Sequence, residues 1–208
     1  MENQRLEVGV FYVDTIPDGL VDSVRAEVKN CPLNLHVEKR GAQTVAGVEW
    51  LLPTALAVYI LKPYTAAILQ EMGRDHYHAI KKVIVAAARR LVGKDKLVTI
   101  SVVTSSASPQ KTSGKYSVAF SSLITLSEKY KMKFLFDDTL TLTQIEEYAD
   151  RIADFVSSRT SEEILEIIRK NRNLCLMDTA VCTYDIKAKE LLILDPMMGT
   201  EKRLESKR

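Results

Sequence analysis

Aspartates close three apolar runs in this sequence: Asp14 ends FYVD, Asp137 and Asp138 end FLFDD, and Asp195 ends LILDP. In α/β proteins ligands gather beyond the carboxyl ends of strands, which is where such residues fall. Carboxylate oxygens are hard donors. If Asp14, Asp137 and Asp138 converge, they form a site for Mg²⁺ or Mn²⁺, and the ion would activate water for phosphoester hydrolysis. A lysine such as Lys81 would then neutralise the developing charge. The competing account is local, because aspartate at a strand end accepts hydrogen bonds from backbone groups just downstream. On that account Asp14 and Asp18 make turn and cap bonds, Asp137 and Asp138 turn the chain into Thr139, and no metal or other cofactor is expected.

A second cluster reads Asp75, His76, Tyr77, His78. Histidines two apart point about 200° apart on a helix, so they ligate one metal only from a turn. With Asp75 as an N-cap, the histidines are surface groups of a first turn. The densest basic stretch, Lys81, Lys82, Arg89, Arg90, Lys94 and Lys96, lacks interleaved aromatics, so a solvated helix face is expected and nucleic acid is not.

No GxxxxGK[ST], GxSxG, HExxH or paired Cys/His spacing occurs, which removes the main motif-defined enzyme classes. The turn after the first apolar run, Asp14 to Gly19, holds one glycine and two carboxylates, so it opposes a dinucleotide phosphate. Basic residues number 29 against 27 acidic, with 46% hydrophobic and 27% charged residues, an ordinary globular composition with no general pull toward nucleic acid or anionic membrane. Cys31, Cys175 and Cys182 form no CxxC pair, and no apolar leader follows Met1, so a reducing cytoplasm is the expected compartment.

The positioning elements follow from periodicity. Leu6 to Val13 reads as a buried strand, Gly19 to Lys29 as an amphipathic helix capped by Asp18, and Leu33 to Lys39 as an alternating strand. Gly47 to Met72 reads as two helical pieces bent near Pro63. Gly73 closes them, and a further helix runs from Asp75 to Gly93. Leu97 to Thr104 alternates like a strand, Ser105 to Lys115 is loop-like, and Tyr116 to Leu126 with Lys131 to Phe136 completes an antiparallel three-strand meander. Helices over Leu142 to Ser158 and Ser161 to Asn171 open on capping-box spacings at Thr143 to Glu146 and Thr160 to Glu163. A hairpin of Leu174 to Tyr184 and Glu190 to Asp195 follows, then a frayed charged tail over Glu201 to Arg208. The expected fold is mixed α/β: helices packed on a mixed sheet, in one domain over 1–208, divisible near residue 94.

Trp50 to Leu61 is twelve residues without a charge, too short for the ~20 that a membrane span needs. Read as helix, it carries more apolar surface than one sheet uses. A protein partner or a second copy covering Trp50, Leu56, Tyr59 and Tyr64 is therefore expected. The functional expectation is a non-enzymatic interaction or sensing module, a subunit of a larger assembly. A metal-dependent phosphoester hydrolase and a membrane-associated effector are the alternatives.

Overall fold

The computed structural model describes residues 6–41, 54–61, 66–94, 96–100, 115–127, 129–195 and 200–204. They build an eight-stranded mixed sheet with helices, ordered β2-β1-β3-β4-β5-β6-β7-β8. The strands are β1 (Leu6–Val13), β2 (Leu33–Arg40), β3 (Leu56–Leu61), β4 (Tyr116–Thr125), β5 (Lys131–Asp137), β6 (Thr179–Asp185), β7 (Glu190–Leu194) and β8 (Glu201–Arg203). The helices are α1 (Asp18–Val28), α2 (Ala66–Leu91), α3 (Leu142–Ser157) and α4 (Ser161–Lys170).

Three parallel pairs, β1 with β2, β3 with β4, and β5 with β6, are each bridged by helix: α1, then α2, then α3 with α4. Antiparallel pairing joins one unit to the next, β1 with β3 and β4 with β5, and the β6–β7 hairpin and β8 extend the far edge. The buried residues of all four helices belong to one apolar core. The strands contribute alternate positions to it: Val8 and Val10, then Leu56, Val58 and Ile60, then Phe120 and Ile124, then Met132, Phe134 and Phe136. The other phase of the strands faces away from the helices. There Leu135, Val181 and Leu194 form a separate small cluster with Tyr116 against it.

Several elements differ from the sequence reading. Residues 56–61 are a strand, not helix: Leu56, Val58 and Ile60 are fully enclosed, and Ala57 on the opposite phase is also buried. With both faces covered, no polar residue marks the period of two, and the short apolar run carries no signal separating strand from helix. Helix α2 runs unbroken through Gly73 and Asp75, so neither position ends or starts a helix. Tertiary burial of Ile80, Val83, Ile84, Ala87 and Leu91 outweighs the ~1 kcal/mol that an internal glycine costs. Leu97 to Ile100 forms no strand, and 101–104 lie outside the described residues. The antiparallel meander therefore reduces to β4 and β5, since β5 pairs onward with β6 in parallel. Pro17 is the N-cap of α1, and Asp18 instead accepts from Tyr12 Oη at 2.9 Å and Lys39 Nζ at 3.1 Å. The capping box of α3 is Thr141 with Gln144, two residues earlier than the expected start. Glu201–Arg203 is not frayed but pairs with β7.

The mixed α/β class and the expected positions of β1, α1, β2, β4, β5, α3, α4 and β7 match, while β6 starts at Thr179, five residues after the expected Leu174. Among the described residues no helix is long and apolar enough to cross a membrane.

Candidate functional site

The expected aspartate site does not assemble. Asp14 and Asp137 follow β1 and β5, which are separated in the sheet by β3 and β4. Three strand spacings place them about 14 Å apart, against the 2.0–2.6 Å that a Mg²⁺ or Ca²⁺ ligand requires. Asp137 Oδ1 instead accepts from the Thr139 amide at 2.8 Å and the Thr139 hydroxyl at 2.7 Å. Asp138 accepts from Lys96 Nζ at 2.9 Å. Among the described residues no group of three His, Cys, Asp or Glu side chains comes together.

The basic stretch is occupied in structural pairing. Lys81 donates to Asp150 at 2.5 Å, Arg89 and Arg90 both donate to Glu27, and Lys96 is the partner of Asp138. His76 is buried and His78 meets Tyr77 edge to face at 5.2 Å, both inside α2. Of the expected partner-binding residues, Leu56 is fully enclosed in the helix-facing core and Tyr59 lies half-buried on the opposite face of the same strand. Trp50 and Tyr64 lie outside the described residues.

A cavity opens on that opposite face. It has a volume of about 270 Å³, near the lower end of the ~300–1,000 Å³ typical of ligand pockets. Register explains its floor. Gly9 stands opposite Tyr59, Tyr59 opposite Leu123, and Leu123 opposite Lys133. One row of same-facing side chains thus runs from β1 to β5, and the next row holds Phe11, Ala57 and Ser121.

Its aromatic wall is Phe11 against Tyr59, T-shaped with centroids 4.5 Å apart. The Arg40 guanidinium lies 4.0 Å from the centroid of the Phe11 ring and donates from Nε to Glu38 at 2.9 Å. That hydrogen bond holds Arg40 firmly protonated. Across the cavity the hydroxyls of Thr54 and Ser121 are hydrogen-bonded to one another, tying the entry of β3 to β4. Thr179 lines the β6 side.

Lys133 is the second cation of the lining. It is only 6% exposed although it projects from the face away from the helices. Burial pushes its amine down to about 8, because a low-dielectric site disfavours the charged form. The Arg40 guanidinium is shared with the Glu38 carboxylate, which accepts from both Nε and Nη2, and both cations face the cavity. The arrangement can therefore take a small molecule with a flat apolar body and a negative group.

Sulfur nucleophiles do not contribute. Burial raises the Cys182 thiol well above its ordinary value and the Cys175 thiol to about 11, so neither is a thiolate at neutral pH.

No protein-family model, curated protein or solved structure matches this chain significantly.

Sequence reasoning missed Lys133, Arg40, Thr54 and Ser121. In KMKFLFDD, Lys131 and Lys133 alternate with Met132, Phe134 and Phe136, the pattern of a solvent-facing phase. The signal against that reading is that Leu135, Val181 and Leu194, in the same phase, are apolar and enclosed.

Proposed function

We propose that this chain is a non-enzymatic sensing module that takes a small anionic organic molecule into the cavity between Phe11, Tyr59, Arg40 and Lys133, and passes the occupied state to a protein partner. The observation that carries this reading is the lining itself: the Arg40 and Lys133 side chains, the Phe11–Tyr59 aromatic pair and the hydroxyls of Thr54, Ser121 and Thr179 gathered round one cavity. A rigid helix layer on one side of the sheet and a cavity on the other suits binding better than turnover.

The test is thermal unfolding and calorimetry against a panel of aromatic carboxylates, aromatic phosphates and their neutral analogues. A ligand bound only by the native state adds about 2.7 kcal/mol at a hundredfold excess over Kd. Anionic members are expected to stabilise the chain, neutral analogues to do so far less, and Arg40→Ala to remove the difference. Equal stabilisation by neutral and anionic members would overturn the electrostatic reading.

A further inference from the structure

We infer that the groove between the end of α2 and the start of α3 is a docking site for an acidic amphipathic segment of a partner protein, which seats leucine-like side chains in the groove and sets carboxylates against its rim. The groove lies among the helices, across the sheet from the ligand cavity, and the inference does not depend on that cavity. Its volume is about 290 Å³, near the lower end of the ~300–1,000 Å³ typical of ligand pockets. That size suits anchoring side chains laid in from one face of a helix.

Among the described residues four large apolar side chains are exposed, and two of these, Leu97 at 75% and Leu142 at 48%, line this one groove. A single exposed leucine needs no explanation. Two of them over a floor of buried Val92, Leu140 and Ile145 make an apolar patch of the kind that marks an interaction site. Backbone sets its lips in place. The Leu97 amide donates to the Arg90 carbonyl at 2.8 Å, and Lys96, its neighbour in sequence, is paired with Asp138 at 2.9 Å. Leu142 is the first residue of α3, directly behind the Thr141–Gln144 capping box. Little ordering is left for a partner to impose.

Charge decides the occupant. Arg89, Arg90 and Lys94 are the charged residues of the described lining, and Arg89 and Arg90 share a single carboxylate, donating to the same Oε1 of Glu27. Three cations against that one acid leave the rim positive. The start of α3 adds to this field, since no acidic residue stands in its first turn to offset the positive end of the helix. Carboxylates flanking an apolar anchor answer the excess, which a basic or uncharged segment would leave unmet. The chain itself carries a net charge of +2, so a second copy has no general attraction to this rim. A membrane surface is flat and does not fill a groove.

The probe is a phage-displayed library of short peptides, selected on the whole purified chain, with enriched peptides then measured by fluorescence anisotropy. Sequences that join leucine-type residues to Asp or Glu are expected to enrich. Leu97→Ser combined with Leu142→Ser should weaken such a peptide at least about tenfold, the scale of losing central apolar anchors. Both positions are exposed, so the double variant should keep the parent's unfolding midpoint. Lys94→Glu should weaken binding about fivefold, and added salt should weaken binding to the parent chain as well. Basic or uncharged enriched peptides would overturn the inference, as would acidic peptides that bind the double variant as tightly as the parent, or no enrichment at all. Sedimentation, and flotation with phosphatidylserine-containing vesicles, examine the other occupants. Self-association or vesicle binding that the double variant abolishes would give the groove to a second copy or to lipid, and overturn it likewise.

Discussion

Phe11 and Tyr59 meet edge to face, with centroids 4.5 Å apart and ring planes at 79°, because residue 9 has no side chain. A Cβ at Gly9 would stand 2.9 Å from Phe11 Cε2 and 3.5 Å from Tyr59 Cβ. Alanine in place of a strand glycine ordinarily gains about 0.5–1 kcal/mol. Here the ring is also held by Arg40 at 4.0 Å and cannot swing away without losing that contact. Gly9→Ala should therefore cost about 1–2 kcal/mol in urea unfolding, the scale of overpacking. The cost should vanish in a Phe11→Leu background. An equal cost in both backgrounds would show that the ring contact is not its source.

Gly93 ends α2 in the left-handed region, at φ 89°, and a Cβ there would lie 2.4 Å from the carbonyl oxygen of Leu140. The obstacle is backbone, so no side-chain rotation relieves it. Gly93→Ala should destabilise by roughly 3 kcal/mol, from a left-handed penalty of about 1–2 kcal/mol and an overpacking cost of similar size. A loss below about 1 kcal/mol would mean that the Leu140 loop yields freely.

The Tyr148 ring is 1% exposed, stacked on Tyr184 at 5.1 Å and against Phe136 at 4.5 Å. Its hydroxyl is buried without a hydrogen-bond partner. Tyr148→Phe keeps the ring contacts and removes an unsatisfied polar atom, whose burial costs about 1–3 kcal/mol. The variant should be more stable by about 1 kcal/mol, visible as a raised Tm. A lowered Tm would indicate that the oxygen fills space that its removal leaves as a void.

How much of this was legible depends on whether one face of an element met water. In β2, Leu33, Leu35 and Val37 alternate with Asn34, His36 and Glu38, and the strand was readable because its outer phase carries Asn34 and His36, both bonded to Glu7. α3 and α4 declare themselves by amphipathic spacing and capping boxes. β3 does not, because Ala57 and Leu56 are both enclosed and a two-sided burial erases the period. The candidate site was illegible for the same reason. Lys133 and Arg40 look like solvent-facing residues of alternating strands, and only the register of five strands brings them to one cavity. The aspartates were legible as strand-end residues but not as separated ones, since sequence order does not reveal that β3 and β4 lie between β1 and β5.

Asp150 tethers α3 to α2 by accepting from Tyr77 Oη and from Lys81 Nζ. Burial alone would raise its carboxyl, but the hydrogen bonds from Lys81 and Tyr77 outweigh that and hold it below the ordinary range. A carboxylate with a depressed folded value contributes stability that is full above its unfolded value, about 3.9, and is lost as pH falls through the folded value. Both side chains of the Lys81–Asp150 pair are more than a third exposed, so the tether is worth at most about 1 kcal/mol. Asp150→Asn should cost up to that amount at pH 7, and the difference from the parent chain should close as pH falls through the folded value of the carboxyl. A difference independent of pH would assign the effect to packing instead.

Lys133 gives the opposite sign. Burial lowers its amine to about 8 in the folded chain against 10.5 for an ordinary lysine, so between those values the unfolded chain binds more protons and stability rises with pH. Below about pH 8 the fold bears the full cost of a buried ammonium; above about 10.5 it bears none. Among the described lining residues Tyr12, Tyr59 and Arg40 are the other titratable groups of the cavity, while Leu123 and Val181 flank Lys133 in the sheet. Lys133→Met removes the charge and keeps a similar length. It should stabilise the chain by roughly 2–3 kcal/mol at pH 7, and by progressively less in urea titrations carried toward pH 10. Arg40→Met, made at a cation that keeps its proton throughout, should show no such convergence. If the Lys133→Met difference stays constant from pH 7 to pH 10, burial does not hold the amine below its ordinary value in the native state.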